Sequence, residues 1–156
     1  MHDFDIIQAY EPADLVALMK AIGRPAQQHK ATATMVVAAR TIEAAGRQIS
    51  YFVYLENDAL CLVGQLKLEG PPSIEYIVNW NNFCPISPLI GMDNGAILKF
   101  ALNVRRSTTL ASFRTVITQF EKHYQRLGAE LTSCPSSDDL AQIAGPISGV
   151  SGSSGG

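Results

Sequence analysis

Apolar and polar residues alternate with two different periods along this chain, and the changes of period mark out its elements. Leu15, Leu18, Met19 and Ile22 recur at i, i+3, i+4 and i+7, the single stripe of an amphipathic helix. Glu11-Pro12 opens that helix, because proline in a first turn forfeits no hydrogen bond, and Asp14 suits the positive end of the dipole. Gly23 and Pro25 stop it. From Thr34 to Leu68 the period becomes two, with turn signals at Ala45-Gly46 and Asn57-Asp58, which predicts a three-stranded antiparallel meander. Its second strand, Gln48 to Glu56, puts Ile49, Tyr51, Val53 and Leu55 on one face and Phe52 and Tyr54 on the other. Its third puts Leu60, Leu62, Leu66 and Leu68 on one face, with Cys61 and Val63 behind. Strands apolar on both faces are normally covered on both.

Gly70-Pro71-Pro72 breaks the sheet, and Ser73 is an N-cap for a helix from Ile74 to about Phe83 with Ile77 and Trp80 inward. Pro85 ends it. A hairpin follows: Ile86 to Met92, a turn at Asp93-Asn94-Gly95, then Ala96 to Val104. The Asn-Gly pair is expected there because both turn positions need φ > 0. Thr108 or Thr109 caps the longest helix, which runs to about Leu127 on the stripe Leu110, Phe113, Val116, Ile117, Phe120, Tyr124 and Leu127, with Gly128 expected as the residue just past its end. A short helix is predicted over Ser137 to Ala144, and the Gly/Ser-rich tail 145–156 is expected to be disordered. The order is α-β-β-β-α-β-β-α, an α+β domain over residues 1–144.

Composition narrows the class. A chain of 156 residues, 47% apolar and 17% charged, suffices for one domain with one core. Net charge is −2, so the basic footprint of a nucleic-acid binder is missing; Arg105-Arg106 and Arg114 read as solvated cations rather than a phosphate site. Three cysteines (Cys61, Cys84, Cys134) without C-x-x-C spacing argue against a disulfide framework or a zinc site. The acidic N-terminus is unlike a secretory signal, and no apolar run approaches the roughly 18 residues of a membrane span. A cytoplasmic protein that binds neither membrane nor nucleic acid is expected.

Catalytic chemistry finds little support. His2 and His29 fall in expected loops and His123 on the polar side of the long helix, with no metal-ligand spacing among them. Cys84 follows a helix C-terminus, whose negative partial charge disfavours a thiolate, and His123 is the one histidine near enough to serve it. Asp3 and Asp5 lie in a start expected to fray, and Asp138-Asp139 suits the dipole of the last short helix. No phosphate-binding loop, dinucleotide fingerprint or hydrolase motif occurs. The expectation is no enzyme and no cofactor. Asn79, Asn81 and Asn82 form the most unusual polar cluster. They could bind a ligand or an extended peptide backbone, or cap the helix end and pin the following loop, and the second role is favoured. Trp80 between them reads as a core anchor.

The segment IVNWNNFCPISPLIGMDNGAILKFALNVRRSTTLASFRTVITQFEKHYQRL, Ile77 to Leu127, resembles the YbjN-like family of bacterial sensory transduction regulators. Asn79-Trp80-Asn81 matches the family's Asn-x-Asn element, and Ala96 to Val104 its alternating leucine-valine strand before a long helix. Many relatives carry a Gly-Val-rich turn where this chain has Arg105-Arg106-Ser107-Thr108. The resemblance implies a fold similar to type III secretion chaperones: a twisted antiparallel sheet, here of about five strands, with helices packed on one face, commonly dimeric. Phe52, Tyr54, Cys61 and Val63, or the opposite set, would then lie on a face the monomer leaves open. A homodimer, a bound polypeptide segment, or both would cover it, which makes this a non-enzymatic, chaperone-like regulator. The alternative is a small-ligand sensor or carrier with a pocket between sheet and long helix, and an enzyme using Cys84 comes third.

Overall fold

The computed structural model describes residues 2–7, 12–30, 36–56, 59–103 and 108–133. Their elements are α1 (Pro12–Ala21), β1 (Gln27–Lys30), β2 (Val36–Ala44), β3 (Arg47–Glu56), β4 (Ala59–Lys67), α2 (Ile74–Phe83), β5 (Leu89–Met92), β6 (Gly95–Asn103) and α3 (Leu110–Ser133). All six strands join one antiparallel sheet in the order β1-β2-β3-β4-β6-β5. Among the described residues no helix is long and apolar enough to cross a membrane. Cys134, Arg105, Arg106, Asp138 and Asp139, the Asn57-Asp58 turn, the predicted helix 137–144 and the tail 145–156 lie outside the described residues.

The alternation predicts five strands and the sheet has six. Strand β1, Gln-Gln-His-Lys, escapes a pattern search because all four residues are exposed. Backbone pairing to β2 holds it at the edge, Gln27 opposite Ala39 and Lys30 opposite Val36. His29, expected in a loop, therefore lies on a strand.

Two glycine assignments change. The β2–β3 turn has Ala45 at φ 51° and Gly46 at φ 77°, so the left-handed two-residue turn is here. Met92 pairs directly with Gly95, which leaves Asp93 and Asn94 as the turn, and neither they nor Gly95 has positive φ. Gly95 is needed for another reason: a Cβ there would strike the Leu66 carbonyl oxygen of β4. Gly128 does not end α3. It is buried within the helix, and a Cβ on it would stand 3.2 Å from the Cβ of Ala44, so its bareness lets α3 lie close to the sheet.

The core is a single layer between one sheet face and the helices. Phe113, Ile117, Phe120, Tyr124 and Leu127 of α3 are at most 1% exposed and meet Tyr51, Val53, Leu62 and Leu98 of the sheet. Each buried ring or branched side chain contributes about 2–3 kcal/mol. Leu15, Leu18 and Met19 of α1 join the same cluster beside Ala38 and Ile42. Gly64 makes room for Tyr124, whose ring would lie 2.5 Å from a Cβ there. The Tyr124 hydroxyl donates to the carbonyls of Ser50 (2.9 Å) and Gln65 (3.0 Å). Burial pushes this phenol up to about 12, a little offset by the Gln65 contact.

Thr109 caps α3, its Oγ1 accepting from the Ser112 N–H at 3.2 Å. The N-terminal strip, expected to fray, is docked beside it. The Asp5 and Asp3 carbonyls accept from the N–H groups of Leu110 (3.0 Å) and Ala111 (2.9 Å), and the Asp3 carboxylate pairs with Arg114 at 2.8 Å. These backbone bonds satisfy helix donors that would otherwise face water alone.

Candidate functional site

Among the described residues, all three helices lie on one face of the sheet and no helix covers the other. The register places Ile49, Tyr51 and Val53 of β3 beside Leu62, Gly64 and Leu66 of β4 and Ala96 and Leu98 of β6, and that is the roofed face. Strand geometry sends the intervening residues to the opposite side. Ala39, Phe52, Val63 and Lys99 form one cross-strand row there, and Tyr54, Cys61 and Ala101 the next. Ile97 and Ile90 extend the apolar surface toward β5, and Thr41, Ser50 and Gln65 edge it with polar groups.

The structure thus brings Phe52, Tyr54, Cys61 and Val63 together at the centre of the unroofed face. Phe52, Tyr54 and Val63 are half-buried by their neighbours alone. The His29 ring stacks on Phe52 at 5.5 Å between centroids. Cys61 is 3% exposed yet stands apart from the core cluster, opposite Tyr54 and one row from Lys99. Burial pushes its thiol up, against the pull of Lys99, so it is a neutral thiol at physiological pH. Burial also raises the Tyr54 phenol, with smaller contributions from Cys61 and Glu56. Four strands of nine or ten residues give this face roughly 600 Å² in projection. That approaches the ~800 Å² each partner buries in a standard interface.

The three asparagines separate. Asn79 and Asn82 are exposed on α2, whereas Asn81 bonds both backbone groups of Leu89, accepting from its N–H at 2.7 Å and donating to its carbonyl at 3.1 Å. Trp80 is 4% exposed and donates to the Ser87 carbonyl at 2.9 Å. Arg126 lies 5.5 Å over its ring.

His123 is not on a solvated face, as the helix pattern suggests. Its Nδ1 stands 3.2 Å from the hydroxyl of Ser87, a residue 1% exposed, and its ring meets Trp80 edge-on. Burial and the nearby Arg126 hold its pKa below the ordinary histidine value. Cys84, 6% exposed, closes α2 through a backbone bond to the Trp80 carbonyl. Among the described residues no three histidines, cysteines or carboxylates stand together as metal ligands.

One buried polar cluster escapes sequence reasoning. Glu121, 7% exposed, accepts from Arg24 Nε (2.7 Å), Arg40 Nε (2.7 Å) and the Tyr51 hydroxyl (2.8 Å). It ties the loop after α1, strands β2 and β3, and α3 together. Burial alone would raise its carboxyl, but the bonds from Arg24, Arg40 and Tyr51 outweigh that and hold it below the usual range. Burial in turn drives the Tyr51 phenol far up, aided by the Glu121 charge. The signal was present: Glu121 follows Ile117 by four and precedes Tyr124 by three, an acid inside the apolar stripe.

A concavity lies between β6 and α3. Ile86, Phe100, Val116 and Phe120 line it, with Ser87, Thr115 and Gln119, and it holds about 210 Å³. It lies apart from the Asn81–Leu89 contact. Comparison with protein-family models, curated proteins and solved structures finds no match to this chain.

Proposed function

We propose that this chain is a non-enzymatic, protein-binding regulatory domain that works through its unroofed sheet face. The observation that carries the reading is the one-sided packing of the described residues: three helices on one face, and Phe52, Tyr54 and Val63 half-buried on the other beside Cys61. A face with an apolar centre of this kind, edged by polar groups, is a site for another polypeptide rather than for water. Two copies pair through it, and the same surface takes a polypeptide client in a chaperone-like manner. The resemblance of Ile77 to Leu127 to the YbjN-like sensory regulators, a family whose fold is similar to the type III secretion chaperones, supports this role in the bacterial cytoplasm. Among the described residues, both cysteines and the serine beside His123 are buried: Cys61 is 3%, Cys84 6% and Ser87 1% exposed.

Affinity capture from a bacterial lysate, with the wild type and Tyr54→Asp as baits, tests the client. Tyr54 is half-buried on the open side, so the variant keeps the core intact. Proteins retained by the wild type and lost with Tyr54→Asp are expected. Identical sets for the two baits would sink the reading.

The cleft between β6 and α3 favours a second reading, a small-ligand sensor. A volume of about 210 Å³ with apolar walls exceeds the ~150 Å³ engineered cavity that takes up benzene. A thermal-shift screen against metabolites separates the two. Stabilisation by a small apolar compound, abolished by Val116→Trp, would favour the sensor.

A further inference from the structure

Strand β5 is a sheet edge, and an edge strand turns the N–H and C=O of every second residue away from its neighbour. The Lys99 N–H donates to the Pro88 carbonyl at 3.1 Å, and Met92 closes the hairpin opposite Gly95. Residues 88, 90 and 92 therefore bond toward β6, and Leu89 and Gly91 point their backbone groups outward. At Leu89 both groups are taken by Asn81, at 2.7 Å and 3.1 Å. One side-chain amide makes the pair of bonds that a residue of a seventh strand would make.

The rest of this edge invites addition. Leu89–Met92 carries no charge, and its Ile90 and Met92 are 51% and 37% exposed. A bare apolar edge of this kind is an aggregation template. The opposite edge is guarded differently, by four exposed polar residues ending in Lys30.

We propose that Asn81 is an edge guard: its amide occupies the strand-addition site of β5 and keeps that edge from pairing with β5 of a second copy. This does not rest on what binds the open face. To separate the two, the test is run in a Tyr54→Asp background, where the open-face contact is disrupted.

Amide hydrogen exchange by NMR reads the guard without any change at Asn81. The Leu89 N–H should exchange at least about tenfold more slowly than the outward Gly91 N–H, the protection one net hydrogen bond gives. In Asn81→Ala the Leu89 amide should speed up by about tenfold, with Ile90, bonded to β6, unchanged. Sedimentation velocity should then show concentration-dependent larger species that a further Met92→Lys, a charge on the edge, removes. Exchange at Leu89 as fast as at Gly91 in the parent, or an Asn81→Ala protein as monodisperse as its parent, would overturn the assignment.

Discussion

Replacing Glu121 by Gln removes the charge on which β2, β3, α3 and the loop after α1 converge. The carboxylate accepts three bonds of 2.7–2.8 Å and its side chain is 10% exposed, so the substitution strips a buried ion pair of its anion. Breaking such a pair costs about 3–5 kcal/mol, chiefly because the surviving charge is stranded. Here the stranded groups are Arg24 and Arg40, whose side chains are 28% and 20% exposed and retain some water, which selects the lower end, about 3 kcal/mol. At about 2–4 °C per kcal/mol for a chain of this size, Tm falls by about 6–12 °C. Urea unfolding at pH 7 should show a lower midpoint with an unchanged slope. The folded-state pKa of Glu121 lies below the value in the unfolded chain, so the wild type keeps this advantage in full above about pH 5. It loses the advantage as pH falls through the lowered value, and the two proteins converge in acid. A loss under 1 kcal/mol at pH 7, or a gap that does not narrow in acid, would refute the reasoning.

Other outcomes follow from single contacts. Gly64→Ala drives a methyl into the Tyr124 ring and should cost about 1–3 kcal/mol, measured by urea unfolding. Ala45→Gly relieves a non-glycine residue at φ 51° and should raise stability by about 1 kcal/mol, seen as a higher Tm. Cys61, buried and neutral, should react with iodoacetamide far more slowly than free cysteine at pH 7.5, and Tyr54→Ala should speed it by uncovering the thiol. Tyr124 should ionise near 12 in a spectrophotometric titration, well above an exposed tyrosine.

Side-chain periodicity made most of the fold legible. The stripe of α3, the two-faced alternation of β3 and β4, and Ser73 as the cap of α2 all appear where residue spacing puts them, Ser73 Oγ accepting from the Tyr76 N–H at 3.1 Å. What stayed hidden has physical reasons. Strand β1 is held by backbone bonds alone, and its exposed side chains carry no period. Gly95 and Gly128 look like turn and cap residues, but their need for close approach is set by Leu66 and Ala44, distant in sequence. The four aromatic and apolar residues of the open face could be placed on one side of their strands from the sequence, because alternation fixes that much. Which side the helices would cover depends on tertiary packing. The Glu121 cluster joins residues 81 and 97 positions apart, beyond the reach of local pattern.

Sedimentation equilibrium across the micromolar range, run on the wild type and on Tyr54→Asp, weighs the unroofed face most directly. A dimer for the first and a folded monomer for the second is the expected result. A wild type that stays monomeric throughout, and binds no apolar dye at that surface, would contradict it.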